Sequence, residues 1–224
     1  MRLSIYDVMG EAWSIFTRNS PRLILMAAVV FGVLSLLYLA VDASDSRLLL
    51  PISAGVSILG VLSLQGAITG YVDDVREGRP GRTTGELFGA VGPILWTLLG
   101  AEVLATIGIV GGLILLIVPG LVALTYWSGI VPAIVVERTS VLEAFRRSQS
   151  LVSGNALRVF AIILITVLIG SIVANMIALA LSPLPRYVDL YIASVIANAV
   201  TMPYVAVAWT VMFFELRRAK EGSG

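Results

Sequence analysis

Long apolar runs alternate with short polar segments along this chain, and their lengths predict its architecture. A helix that crosses a hydrocarbon core of about 30 Å needs about 20 residues, and six apolar runs approach or exceed that length. They are Leu23 to Val41, Leu48 to Val72, Ile94 to Val118, Leu121 to Val136, Val159 to Leu181, and Val188 to Phe214. We therefore expect an all-α, polytopic membrane protein with six transmembrane helices, forming a single transmembrane domain over residues 1–221.

The third and fourth apolar runs are separated only by Pro119 and Gly120. Proline disfavours continuation of a helix and glycine favours a tight turn. This dipeptide therefore predicts a helical hairpin whose turn lies at Pro119-Gly120.

Two polar segments predict amphipathic helices that lie at the membrane interface. Each begins with a serine followed three residues later by an acid, Ser4 with Asp7 and Ser140 with Glu143. This spacing is typical of a capping box, and apolar residues recur at helical spacing after both serines. We expect both apolar faces to lie against lipid headgroups or the bundle. The second interfacial helix is expected to end at Gly154.

The order of segments suggests an internal repeat. Asn19 and Asn155 each begin an Asn-x-x-Arg sequence before a span, and Thr83 with Glu86 gives a weaker third capping pattern. The returning spans end near acids, which are Asp73, Glu137 and Glu215. We expect three parallel units, each an interfacial helix followed by a helical hairpin, over approximately residues 3–74, 83–137 and 139–216. Their axis would run along the membrane normal.

Basic residues mark one side of the predicted bundle. Of the 15 lysines and arginines, only Arg47 and Arg186 fall in loops on the other side. Because short cytoplasmic loops carry an excess of Lys and Arg, this asymmetry places both termini in the cytoplasm, with the cytoplasmic membrane as the host bilayer. The N-terminal residues show no signal-peptide pattern, and residues 222–224 are either native or the scar of a removed tag.

Composition narrows the possible functions. The chain is 58% hydrophobic and contains no cysteine and no histidine. This composition excludes disulfides, thiolate nucleophiles, imidazole catalysis and Cys/His metal sites, and we expect no cofactor. The net charge of +1 is dispersed over several loops. A nucleic-acid partner is therefore not expected.

One part of the chain resembles a known family. The run "LLIVPGLVALTYWSGIVPAIVVERTSVLEAFRRSQSLVSGNALRVFAIIL" is similar to the membrane domain of some bacterial glycerophosphodiester phosphodiesterases and of stand-alone membrane proteins of bacteria and archaea. The "FFELRRAKEG" ending and the "GEAWSIFTRN" opening fit the same group. The resemblance covers nearly the whole chain, most specifically Val118 to Ile165. In the phosphodiesterases the chemistry belongs to a separate soluble domain with catalytic histidines, so the resemblance implies no enzyme activity here.

Four polar residues inside the predicted spans are candidates for function. Glu102 lies about nine residues into the third span, roughly 13 Å along the helix. An ionisable group at that depth is a candidate proton or cation site, acting with Gln65, Asn175 and Asn198. The alternative is a structural carboxyl that hydrogen-bonds a neighbouring helix. The sequence is compatible with both.

Four arginines are candidates for binding lipid headgroups or phosphates. They are Arg22, Arg146, Arg147 and Arg158. Guanidinium groups match phosphate oxygens bidentately, although the same residues also serve to set topology.

The function that the sequence favours is a non-enzymatic membrane protein that binds or organises lipid or scaffolds another membrane protein. The alternative is a small-molecule or ion transporter or channel with a polar path near Glu102, Asn175 and Asn198. That alternative predicts that these side chains converge on one cavity.

Overall fold

The computed structural model describes residues 3–44, 48–79, 81–183 and 188–221, with no side-chain description for residues 188–190. The predicted positions Arg47, Arg186 and the possible tag scar lie outside the described residues. Nine α-helices occur in the described chain, and no strand does. They are α1 (Ile5–Ala43), α2 (Leu49–Arg76), α3 (Thr84–Val91), α4 (Leu95–Leu115), α5 (Ile117–Trp127), α6 (Ile130–Glu137), α7 (Val141–Val152), α8 (Ala156–Leu181) and α9 (Ser194–Glu221).

Six helical segments are long and apolar enough to cross a membrane, which confirms the predicted number of spans. α1, α2, α8 and α9 each form one segment, α9 being extended at its start by a π-helical turn over Val188–Ala193. α3 joins α4 through a 3₁₀ turn over Gly92–Ile94. α5 and α6 together form the fourth segment. α9 packs along α1, α2 and α8, and α4 packs along α5.

Both described chain ends lie at the same end of the bundle. The Leu3 N–H donates to the Asn155 side-chain oxygen over 3.3 Å, just before α8 begins. Near the C-terminus, Glu221 forms an ion pair with Arg147 of α7 at 3.1 Å. This end also carries residues 77–79, 81–83 and 138–140, which connect helices. We call it the basic face, and the other end the opposite face.

The tightest packing lies toward the basic face. Fully buried side chains there include Val8 of α1, Leu151 of α7 and Phe213 of α9. Toward the opposite face the helices carry large apolar side chains on their outsides, and Leu115 at the end of α4 is 80% exposed. Exposed apolar surface of this kind is what lipid covers in a membrane protein.

The first predicted interfacial helix is not separate from the first span, which corrects the prediction. α1 runs without interruption from Ile5 through Pro21 into the span. Pro21 has no N–H to donate to the Thr17 carbonyl, but the Ser20 hydroxyl donates to that carbonyl over 3.2 Å. This replacement bond explains why the helix continues through the proline.

The second predicted interfacial helix is present as α7, and it ends before Gly154, which has a φ of +89°. At its start, the Ser140 N–H and hydroxyl donate to the Glu143 carboxylate over 2.9 and 2.7 Å. These hydrogen bonds hold the pKa of Glu143 below its usual value. Thr83 and Glu86 form a reciprocal capping box at α3. Ser4 caps α1 by accepting from the Asp7 N–H over 3.3 Å.

The turn of the third and fourth spans lies earlier than predicted. The chain reverses at Leu116, whose φ of −158° and ψ of 140° are extended, and α5 begins at Ile117. Pro119 therefore lies in the first turn of a helix, where backbone N–H groups have no acceptor within the helix, so the missing proline N–H costs no hydrogen bond. Gly120 packs against Gly112: a Cβ on Gly112 would lie 2.9 Å from the Gly120 Cα. The threefold repeat stays a prediction.

Candidate functional site

A central cavity of about 480 Å³ lies among the spans, and residues of all six line it. Most of the lining is apolar, as in many ligand sites. Its polar side chains belong to Gln65, Glu102, Ser128, Ser171 and Thr201.

Glu102 reaches this cavity because of its position on α4. Leu98, Ala101 and Ala105 are the buried residues of that helix, at spacings of three to four, and Glu102 lies next to this face. Its side chain is half-buried. Neither Glu102 nor Gln65 has a hydrogen bond or an ion pair within the described chain. The cavity therefore contains one carboxyl and one amide that no described protein group satisfies.

The aromatic rings of Trp127 and Trp209 form part of the cavity wall, and contacts with neighbouring helices fix their positions. The Trp127 ring packs edge-on against Phe145 of α7, with the ring centroids 5.1 Å apart. The same ring lies over Gly108, where a Cβ would be 2.5 Å from it. Trp209 donates its indole N–H to the Thr166 hydroxyl over 3.2 Å. The Trp127 ring is thus fixed by its contact with Phe145, and the Trp209 ring by its hydrogen bond to Thr166.

The fourth span is interrupted at the edge of this cavity. α5 ends at Trp127 and α6 begins at Ile130, so the helical hydrogen bonds stop at Ser128 and Gly129. The Ser148 hydroxyl of α7 accepts from the Gly129 N–H over 3.0 Å and donates to the Tyr126 carbonyl over 2.7 Å. The helix α7 therefore supplies a hydrogen-bond partner to the interrupted span inside the bundle. Sequence patterns gave no signal for this contact.

A second cavity, of about 680 Å³, lies toward the opposite face, among α1, α2 and the start of the sixth span. Its lining is more polar and includes Tyr38, Asp42 and Asn198. Phe31 and Val61 line both this outer cavity and the central one. They therefore lie between the two spaces.

The predicted polar residues of the spans do not all meet. Glu102 and Gln65 share the central cavity, whereas Asn198 lines the outer one. Asn175 is exposed on α8, and its amide donates to the Ser171 carbonyl over 2.8 Å. Asn198 makes the corresponding bond to Ser194, also at 2.8 Å. Both asparagines thus satisfy a carbonyl of their own helical segment.

The four predicted headgroup arginines differ in the contacts that they make at the basic face. Arg147 is partly buried and donates two hydrogen bonds of 2.7 Å to the Glu137 carboxylate. Arg146, its neighbour, is exposed and has no ion-pair partner in the part of the chain that the structure describes. Arg158 donates to Asn155 over 3.2 Å. Arg22 donates to the Arg82 carbonyl and lies over the Tyr71 ring, 4.8 Å from its centroid.

Two further ionic clusters join acids and arginines at the basic face. Asp74 is 2% exposed and pairs with Arg79 and Arg82. These residues line a third cavity, of about 440 Å³, beside α3 and α6. Arg76 lies between Glu215, at 2.5 Å, and Glu11, at 3.1 Å. The acids and arginines are visible in the sequence, but their pairing depends on which helices meet.

The ionic clusters do not offer a metal site of the usual kind. Among residues 3–44, 48–79, 81–183 and 188–221, no group of three or more Asp or Glu side chains is placed to hold a metal ion. The carboxylates of both clusters instead face arginines, which occupy the oxygens that a metal would need.

Comparison with known proteins gives a family but no characterised relative. No curated protein and no solved structure matches this chain. Residues 83–217 match a domain of unknown function, DUF7847. The matched region covers α3 to most of α9, and so includes α7, the interrupted fourth span and Glu102. The chain belongs to the DUF7847 family.

Proposed function

We propose that this is a non-enzymatic protein of the cytoplasmic membrane that binds a lipid-like molecule among its spans. The central cavity supports this proposal most directly, because residues of all six spans line it and most of the lining is apolar. Lipid surrounds such a bundle on every side, so an amphipathic ligand is available without passage through water. The exposed Arg146 and the half-buried Arg158 supply positive charge for headgroups at the basic face.

The positive-inside rule supports a cytoplasmic location for the basic face, and with it for both termini. The resemblance of Val118 to Ile165 to the membrane domain of glycerophosphodiester phosphodiesterases supports a common origin with that domain. We extend no phosphodiesterase activity to this chain, since it lacks histidine and any metal cluster in its described residues.

A cavity-filling substitution tests the proposal. Ala174 lines the central cavity on α8, and Ala178 is exposed one turn further along the same helix. Ala174→Phe is expected to displace the ligand, whereas Ala178→Phe is a matched control that adds the same side chain toward lipid. Native mass spectrometry of protein gently extracted from its own membrane measures what each variant retains.

The expected result is a lipid-like mass on the wild type and on Ala178→Phe, and its loss from Ala174→Phe. Ala105→Phe fills the same cavity from α4 and guards against a local folding defect of one variant. Equal retention by all four proteins would contradict the proposal. A protein that carries no small molecule but a co-purified membrane protein would favour the scaffold function instead.

Transport is the second candidate, and one observation favours it. The outer and central cavities are adjacent and share Phe31 and Val61 in their linings, so movement of these two side chains would connect the opposite face to the carboxyl of Glu102. Intramembrane carboxyls beside a cavity are typical of coupling sites in transporters. Proton or cation flux into liposomes containing the protein, lost in Glu102→Gln, is the result that this function predicts. Flux equal to that of protein-free liposomes would contradict it.

A further inference from the structure

The central cavity combines one carboxyl with aromatic walls, and this combination defines a ligand class. Glu102 has no partner within the described chain, and no arginine or lysine lines the cavity. A carboxylate in apolar surroundings is stabilised only when a cation or hydrogen-bond donors accompany it. Because no described side chain supplies the cation here, a ligand that carries one would be complementary to the cavity.

The aromatic residues favour the same class of ligand. Phe31, Trp127 and Trp209 line the cavity together with Glu102. Aromatic faces attract ammonium groups, and indole attracts them most strongly. The Gln65 side-chain oxygen adds a neutral acceptor for an N–H donor. An acid, an amide oxygen and three aromatic rings are the groups that recognise an alkylammonium ion.

The rest of the lining indicates what the ammonium is attached to. It consists mainly of aliphatic side chains such as Leu64, Ile109 and Val167. A hydrocarbon chain fits such a surface, whereas a phosphate would find no basic partner among the lining residues. We propose that the central cavity binds an amphiphile with a cationic amine headgroup, with the ammonium paired to Glu102 and the hydrocarbon along the apolar wall. This inference rests on the proposed function and names the ligand class of the same cavity.

Two matched probes test the inference. Dodecylamine is protonated at pH 7, and dodecanol has the same chain without the charge. The chain has four tryptophans, and Trp13 and Trp96 are exposed, at 58% and 75%. A Trp13→Phe/Trp96→Phe background therefore leaves Trp127 and Trp209, which both line the cavity, as fluorescent reporters. Titrations of this protein in lipid nanodiscs give the affinity for each probe.

We expect the background protein to bind dodecylamine more tightly than dodecanol. Glu102→Gln keeps the shape of the side chain but removes its charge, and we expect it to weaken dodecylamine binding by at least about thirtyfold. Dodecanol binding should remain, which also verifies that the variant is folded. Equal affinity for the two probes in the background protein, or unchanged dodecylamine binding in Glu102→Gln, would overturn the inference.

A third variant and a third probe separate the possible failures. Ala174→Phe should weaken both dodecylamine and dodecanol; if it does while Glu102→Gln has no effect, the cavity is a ligand site but not an ammonium site. If Ala174→Phe affects neither probe, the proposed function itself fails. Dodecylphosphocholine carries an ammonium with a phosphate. Glu102-dependent competition by it would assign the ammonium to a zwitterionic lipid, and no competition would assign it to a free amine.

Discussion

The hydroxyl of Ser148 accepts a hydrogen bond from the backbone N–H of Gly129 over 3.0 Å. The serine belongs to α7 and the glycine to the break between α5 and α6, 19 residues earlier in the chain. The close approach leaves little room, since a Cβ on Gly129 would lie 3.1 Å from the Ser148 hydroxyl oxygen. α7 is thus tied to the interrupted span by the side chain that completes its hydrogen bonding.

Ser148→Ala is expected to destabilise the protein by about 1–3 kcal/mol, because the buried Gly129 N–H then loses its acceptor and no water replaces it without cost. Thermal unfolding in detergent, or unfolding in denaturant, measures the change. Ser150→Ala, on the exposed side of the same helix, is the control and should change stability by less than about 0.5 kcal/mol. Equal stabilities of the two variants would show that the Ser148 bond contributes nothing.

The turn between α4 and α5 depends on two glycines that face each other. A Cβ on Gly112 would lie 2.9 Å from both the Cα and the N of Gly120, and backbone atoms cannot rotate away as a side chain can. Gly112→Val is therefore expected to separate the two helices and to cost about 1–3 kcal/mol. Gly111→Val is the matched control, because a Cβ on Gly111 would meet no neighbouring helix: apart from its own helix backbone and chain neighbours, no atom lies within 4 Å. Thermal melting of the two variants side by side checks the difference.

Arg76 joins three helices through charged groups at the basic face. Its guanidinium pairs with Glu215 and Glu11 and lies over the Phe214 ring, 5.0 Å from the centroid. The side chain is only 11% exposed. Arg76→Gln removes the ion pair of Glu11 and leaves Glu215 with only the exposed Arg218, and we expect a loss of about 3 kcal/mol of unfolding free energy.

Arg218→Gln is the control for Arg76→Gln, since Arg218 also pairs with Glu215, at 3.2 Å, but is 69% exposed. An exposed pair contributes little, so this variant should lose less than about 1 kcal/mol. Chemical unfolding of both variants gives the comparison. If Arg218→Gln were the more damaging of the two, burial would not be what makes the Arg76 cluster stabilising.

The sequence predicted the spans well because the length of an apolar run is a local property. The start of α7 at Ser140 and its end before Gly154 were also predictable, since caps and turns depend on neighbouring residues. The effect of the prolines on the helices was not predictable from the sequence. Pro21 lies inside a helix that the Ser20 hydroxyl supports, and Pro119 lies in the first turn of a helix instead of ending one. A proline pattern alone does not distinguish these cases.

The candidate site was only partly predictable for a related reason. A helix surrounded by lipid is apolar on most sides, so hydropathy does not show which side faces the bundle. Glu102 and Gln65 were found because polar residues in a span are rare, yet Asn175 is exposed and Asn198 lies in another cavity. The Arg147 pair with Glu137 depends on how the chain turns at Arg138, whose φ is +54°. Such pairings follow from the tertiary structure.

Arg146 and Arg147 are neighbours in sequence but differ in what holds them, and this difference predicts different effects of substitution. Arg146 is exposed, so Arg146→Ala should leave the melting temperature nearly unchanged and weaken binding of an anionic lipid by about fivefold, the effect of one surface charge near a membrane. Arg147→Ala breaks the bidentate pair with Glu137 and should instead lower the melting temperature. Native mass spectrometry of protein titrated with phosphatidylglycerol measures the first effect, and thermal unfolding measures the second. A drop in lipid binding for Arg147→Ala alone, at unchanged stability, would mean that Arg147 leaves Glu137 to bind the headgroup.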